Sequence, residues 1–127
     1  MTATEIGMLV YWLVAAGLAL GILSVPPDYM YSDYENPLVV AWNWSFFPID
    51  VAFAILGLVS RFATLRSGLA SQLALIGATL MFCAGIMAIS FWIMTGEFDP
   101  LWWGLNIWLI LLSLTALRAL LKEDAPA

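Results

Sequence analysis

The residue in this sequence best placed to do chemistry is an acid with no base near it. Asp50 lies in the run Phe46-Phe47-Pro48-Ile49-Asp50-Val51-Ala52-Phe53, and the next charged residue, Arg61, follows eleven positions later. If the chain between them is one helix ending near a membrane surface, a rise of about 1.5 Å per residue puts Asp50 roughly 16 Å deep, at the middle of a hydrocarbon core about 30 Å thick. A carboxyl group there costs roughly 2.5–3.5 kcal/mol on insertion scales and marks a functional site by default. With no Lys or Arg at that depth, it must carry its proton or be hydrogen-bonded inside the protein. Such a group can hold a proton, a cation or the polar head of an amphiphile. The same residues allow a plainer role. Pro48 must break a helix or begin one. With Phe47 as N-cap and Pro48 at N1, Asp50 falls at N3, where a carboxylate satisfies free backbone N–H groups.

Other polar side chains recur at helical spacing. Gln72, Thr79, Cys83 and Ser90 share one face of a single stretch, Asn106 and Ser113 stand seven apart on another, and Asn43 precedes Asp50 by seven. Counted from the helix ends, Asn43, Ser90 and Asn106 form one layer about 8 Å deep, and Tyr11, Asp50 and Cys83 another near the middle. Polar groups avoid lipid, so these faces are expected to converge inside a bundle, with Tyr11 as the hydrogen-bond partner of Asp50. Interhelical hydrogen bonds worth about 0.6 kcal/mol each account for Ser, Thr and Cys. They account less well for an acid and two asparagines.

Aromatic residues are the second signal. Trp42, Trp44, Trp92, Trp102 and Trp103 gather towards one end of the stretches, with Phe46, Phe47 and Phe91 beside them, whereas the other end has Trp12 and Phe62. Interfacial belts explain Trp and Tyr at both surfaces, but a two-sided belt is not this lopsided. Tryptophan faces over a carboxylate suit a cationic or flat apolar guest. The loop carrying Tyr29, Tyr31 and Tyr34 could act as a lid over it. The candidate ligand-binding set is therefore Asp50, Tyr11, Trp42, Asn43, Trp44, Phe47, Ser90, Trp92, Trp103 and Asn106.

The elements that must position this set are long and apolar. Of 127 residues, 64% are apolar and 10% charged, a balance that suits lipid rather than water as solvent. Four stretches reach the length a membrane-crossing helix needs, at about 6–24, 38–60, 69–95 and 101–121. Turn residues separate them: Pro26-Pro27 through Asn36-Pro37, then Arg61 to Gly68, then Gly96 to Pro100. Backbone facing lipid must satisfy itself, so each span is expected to be helical, giving one all-α four-helix membrane domain over 1–127. The first stretch has no basic leader and reads as a permanent helix, not a cleaved signal peptide. Gly17 and Gly21 make a small-residue step read as close packing within the bundle rather than a dimer seam. The tail from Glu123 is expected to fray.

Charge sets the orientation. The four basic residues are Arg61, Arg66, Arg118 and Lys122, on one side of a chain that crosses four times. The opposite side receives Asp28, Asp33, Glu35, Glu97 and Asp99. The positive-inside rule then places both termini in the cytoplasm.

Composition also excludes much. There is no histidine and one cysteine, which rules out an internal disulfide, a His/Cys zinc site, a His-ligated haem and a His-based triad. No metal or cofactor is expected. A net charge of −5 with no basic cluster argues against nucleic acid. No nucleophile–base pair is present, so enzymatic chemistry is not the expectation. Cys83 reads as a small apolar filler.

Three blocks carry a family resemblance: DYENPLVVAWNWSFFPID ending at Asp50, FCAGIMAISFW ending at Trp92, and FDPLWWGLN ending at Asn106. In this order they resemble the YvaD-like family of small bacterial four-helix membrane proteins. The resemblance covers nearly the whole chain and implies that fold, with no activity to carry over. A looser likeness, through WNWSFFPID, is to the emopamil-binding and sigma-2-receptor group, four-helix proteins with an intramembrane acid and aromatic lining. The histidines some of those enzymes use are missing here, which argues against isomerase chemistry.

The leading functional expectation is a non-enzymatic membrane protein that binds a small lipophilic or cationic amphiphilic molecule in an outward-opening aromatic pocket around Asp50. The alternatives are a small proton-coupled exporter working as a homodimer, and an accessory subunit packed against a larger membrane complex.

Overall fold

The computed structural model describes residues 1–123, so the tail at 124–127 lies outside the described residues. The described chain is helical: α1 Thr2–Ala19, a 3₁₀ turn at Pro27–Tyr29, α2 Pro37–Ser45, α3 Phe47–Phe62, α4 Ser67–Thr95 and α5 Pro100–Glu123. Helices α2 and α3 follow each other as one apolar stretch, Pro37–Phe62, so four helical segments are long and apolar enough to cross a membrane. Asp50 stands near the middle of that second segment.

Local chemistry sets the boundaries. The first helix begins and ends earlier than the expected 6–24. At its end Gly21 adopts φ +72°, and the N–H groups of Ile22 and Leu23 both donate to the Gly17 carbonyl, at 2.9 and 3.1 Å. Leu23 folds back so closely that a Cβ on Gly17 would meet its Cδ1 at 2.7 Å. The two glycines therefore form a helix stop of the Schellman type, not a contact between helices. Helix α2 starts at Pro37 with Asn36 as N-cap, whose side-chain oxygen accepts from the Leu38 N–H at 3.0 Å. Helix α5 starts in the same way: the Asp99 carboxylate accepts from the N–H groups of Leu101 and Trp102.

The second stretch, expected as one helix over 38–60, is interrupted. Phe46 keeps helical angles (φ −78°, ψ −20°), but Pro48 has no N–H to continue the ladder, and α3 begins anew at Phe47. The Asp50 N–H bonds the Phe46 carbonyl at 2.9 Å, the first bond of the new helix.

Packing runs in sequence: α1 on α3, α3 on α4, and α4 on α5. Among the described residues, α1 and α5 do not pack backbone against backbone, which leaves one seam of the bundle open. The fully buried centre holds Phe53, Met81 and Ser113. Leu13, Ile22, Leu38 and Met94 point outwards, an apolar exterior matched to lipid rather than water. The polar face expected to turn inwards on the third span does the opposite. Gln72, Thr79, Cys83 and Ser90 are all exposed, while Gly77, Ala78, Met81, Ala84 and Ala88 take the interior. Small residues let α4 sit tightly between α3 and α5, and that demand outweighs the placement of weakly polar groups. Thr79 satisfies its hydroxyl on the Leu75 carbonyl at 2.8 Å.

Candidate functional site: a side-opening cavity with one carboxylate

Helix α1 supplies the key contact. Trp12 is buried at 3% exposure, and its indole N–H donates to Asp50 Oδ2 at 3.0 Å. Three rings hold the indole in place: Tyr11 at 5.0 Å, Trp44 at 5.1 Å and Phe47 at 5.3 Å between centroids. Asp50 is itself 5% exposed. It stands in the first turn of α3, yet its side chain makes no cap hydrogen bond. The capping role is therefore not what this carboxylate performs, because α2 already covers the helix start and the side chain turns to α1.

The expected partner also changes. Tyr11 does not reach Asp50; its hydroxyl donates to Asn43 Oδ1 at 3.3 Å. Adjacent residues on a helix point about 100° apart. The residue facing Asp50 is thus fixed by how α1 is turned against α3, which spacing alone does not reveal.

Above and beside the carboxylate lies a cavity of about 430 Å³. Of the candidate set, Asp50, Tyr11, Trp42, Asn43, Trp92 and Asn106 line it. The remaining four lie elsewhere. Trp44 and Phe47 buttress the far side of Trp12, Ser90 faces outwards, and the Trp103 indole donates to the Glu97 carbonyl at 3.2 Å. Sequence reasoning missed Trp12, Tyr31 and Trp102 as wall residues. Trp102 stands edge-on to both Tyr11 and Tyr31, at 5.7 and 5.9 Å, and its buried indole N–H has no acceptor.

The mouth opens sideways. Tyr31 is 8% exposed and packs with Val39 and Trp92, so the acidic-end loop already covers that end of the cavity. Burial pushes the Tyr31 hydroxyl above the usual tyrosine value and keeps it neutral. The exposed wall residues are Ala3, Gly7, Leu105 and Trp108, all on α1 and α5. The unpacked seam between these helices is the opening, bridged by the Trp108 indole N–H donating to Thr4 Oγ1 at 3.1 Å. The expectation of an outward-opening mouth is corrected accordingly: the side chains of the loop close that end, and the lack of backbone packing between α1 and α5 opens the flank.

A second carboxylate, not singled out from the sequence, is more deeply buried. Glu5 is 1% exposed and forms an ion pair with Arg61, whose Nε also donates to Thr2 Oγ1 at 3.1 Å. It rests on Gly57, where a Cβ would collide with Glu5 Oε1. The available signal was the shared spacing of seven, Glu5 to Trp12 on α1 and Asp50 to Gly57 on α3. Antiparallel packing brings the two pairs into register once Trp12 is known to meet Asp50. No group of His, Cys, Asp or Glu suited to a metal ion occurs among the described residues.

The sequence matches a family described as a family of unknown function, DUF5360, across residues 1–127. It is 37% identical over 121 residues to the uncharacterized protein YvaD of Bacillus subtilis (strain 168), covering 94% of this chain and 87% of that protein. The resemblance to the YvaD-like family read from the three sequence blocks is borne out. No solved structure matches the chain.

Proposed function

The chain belongs to the DUF5360 family of unknown function, and from the cavity that its helices enclose we propose that it binds one small amphiphilic cation taken up from the bilayer. The observation that carries this reading is the placing of Asp50. It is a carboxyl group buried near the middle of an apolar segment, on the wall of a cavity of about 430 Å³ whose other walls are largely aromatic. Volumes of roughly 300–1,000 Å³ with few polar groups are typical of small-molecule sites. The cationic head would meet Asp50, and the apolar body would lie against Trp42, Trp92 and Trp102 through ring-face attraction and dispersion. The open α1–α5 seam supports access from the lipid, since a bilayer-resident guest need not pass through water.

On this reading the protein sits in a bacterial cytoplasmic membrane with the Arg61–Lys122 end in the cytoplasm, as its segregated charges direct. The test is quenching of intrinsic tryptophan fluorescence by tetraphenylphosphonium in detergent. Saturable quenching, weakened at least fivefold in Asp50→Asn without loss of helicity, is the expected result. Equal affinity in both proteins would end the proposal.

A second reading is supported by the outer face of α4. Gln72, Cys83 and Ser90 are polar or thiol side chains left on the outside of an apolar bundle. A second copy or a larger membrane complex would cover them. Native-gel migration of the tagged protein at its endogenous level separates this reading from a free monomer.

A further inference from the structure

The bundle contains a second hollow, at the basic end. It has a volume of about 510 Å³ and is lined by Glu5 from α1, Gly57 and Arg61 from α3, Ala74 from α4 and Ala116 from α5, among others. It is separate from the Asp50 cavity. On α3, Phe53 lies between Asp50 and Gly57; on α4, Met81 lies between Ala78 below and Ala84 above; on α5, Ser113 lies between Leu109 and Ala116. Phe53, Met81 and Ser113 are each 0% exposed, so a closed layer divides the two spaces.

What makes this hollow more than a packing gap is the state of its carboxylate. Glu5 Oε2 meets the Arg61 guanidinium, but neither carboxylate oxygen accepts a hydrogen bond, although the residue is 1% exposed. A buried carboxylate oxygen without a donor is costly, and bidentate pairing with arginine would have satisfied both oxygens. Arg61 divides its donors, with its Nε on Thr2 and its side chain 32% exposed. The unmet group is an acceptor, so the missing partner is a donor. Besides Glu5, Gly57 and Arg61, the walls are five alanines with Met1, Ser60, Ser71 and Leu120, which leaves room for a compact head.

We infer that this hollow is a second binding site and that it takes a primary ammonium group at Glu5, with Arg61 able to swing towards the basic end as the guest enters. The inference does not rest on the Asp50 cavity. The ammonium could be carried by a phospholipid headgroup or by a soluble amine; the chemistry at Glu5 is the same.

The experiment is calorimetric titration of the full chain in detergent with two probes, hexylamine and dihexanoyl-phosphatidylethanolamine, and with dihexanoyl-phosphatidylglycerol as the amine-free control. Saturable binding of at least one amine probe is expected, weakened tenfold or more in Glu5→Gln, with the glycerol lipid not competing. Binding of the lipid probe alone assigns a headgroup site, and binding of both assigns a site for amines in general. Any binding at Asp50 is the component that survives in Glu5→Gln, so the two sites are read separately. If Glu5→Gln does not fold, Ala74→Phe fills the hollow without touching the carboxylate and must abolish the same component. Absence of saturable amine binding, or binding undiminished in whichever of these variants folds, overturns the inference.

Discussion

Trp12 and Asp50 are joined across the α1–α3 seam by an indole N–H donated to Oδ2 at 3.0 Å, and each residue is at most 5% exposed. This bond fixes the azimuth of α1 on α3 and gives the carboxyl its only side-chain donor among the described residues. Trp12→Phe keeps most of the ring packing and removes the donor. The expected cost is about 1–3 kcal/mol, the penalty for leaving a buried polar group unpaired. Asp50→Asn retains an acceptor oxygen and should cost less. Replacing both partners, as Trp12→Phe with Asp50→Leu, should recover most of the loss. Unfolding of the unaltered chain, Trp12→Phe, Asp50→Leu and the double variant in mixed micelles with increasing dodecyl sulfate checks the cycle, with Asp50→Asn read beside it. Additive losses in the double variant would show that the bond does not couple the helices.

Glu5 and Gly57 make a different kind of pair, an acid seated where a side chain is missing. Gly57→Ala would put a Cβ into Glu5 Oε1, and the carboxylate must move. Overpacking of this kind costs typically 1–3 kcal/mol, with the loss of the Arg61 contact added. Glu5→Ala in the same chain removes the clash. The double variant should therefore be more stable than Gly57→Ala alone, an ordering that the same micelle titration reads directly. If Gly57→Ala proves silent, the seating of Glu5 on α3 is wrong.

Much of this arrangement was legible in the sequence, for identifiable physical reasons. Four apolar stretches separated by Pro and Gly turns gave the helices, because lipid leaves the backbone no other way to satisfy itself. Asp50 stood out because an unpaired acid in such a stretch is expensive. The azimuths were not legible. Tyr11 and Trp12 are neighbours, and only the packing of α1 on α3 decides which of them meets Asp50. Polarity alone points the α4 face containing Thr79 and Cys83 inwards. The structure turns it outwards because Gly77, Ala78, Ala84 and Gly85 pack more closely against the neighbouring helices. Glu5 went unnoticed because its burial depends on a glycine 52 positions away in the chain.

The stop at the end of α1 offers a local test. Gly21 holds φ +72°, and nothing lies within 4 Å of where its Cβ would be, so strain rather than collision governs a substitution there. Gly21→Ala should cost about 1–2 kcal/mol, the penalty of the left-handed region for an L-residue. Gly21→Asn should cost less, because asparagine tolerates that region. Gly104→Ala, which also meets open space but has no positive φ, is the control and should be near neutral. Micelle unfolding ranks the three; an alanine at 21 as harmless as one at 104 would remove the helix stop from the account.

Arg61, Arg66, Arg118 and Lys122 lie at one end, and Asp28, Asp33, Glu35, Glu97 and Asp99 at the other. Loop lysines and arginines resist translocation, whereas acids contribute little to orientation, so the basic end should remain in the cytoplasm. In a Cys83→Ser background, a cysteine at Asp28 should react with a membrane-impermeant maleimide added to intact spheroplasts. A cysteine at Ala63, exposed in the turn after α3, should react only after the membrane is broken. Cys83 in the otherwise unaltered chain should stay unreactive in both cases. It faces outwards from the middle of α4, where a reagent confined to water does not reach it. Labelling of Ala63→Cys in intact spheroplasts would invert the orientation. The Asp50 cavity would keep its depth, and the Glu5 hollow would then open to the outside.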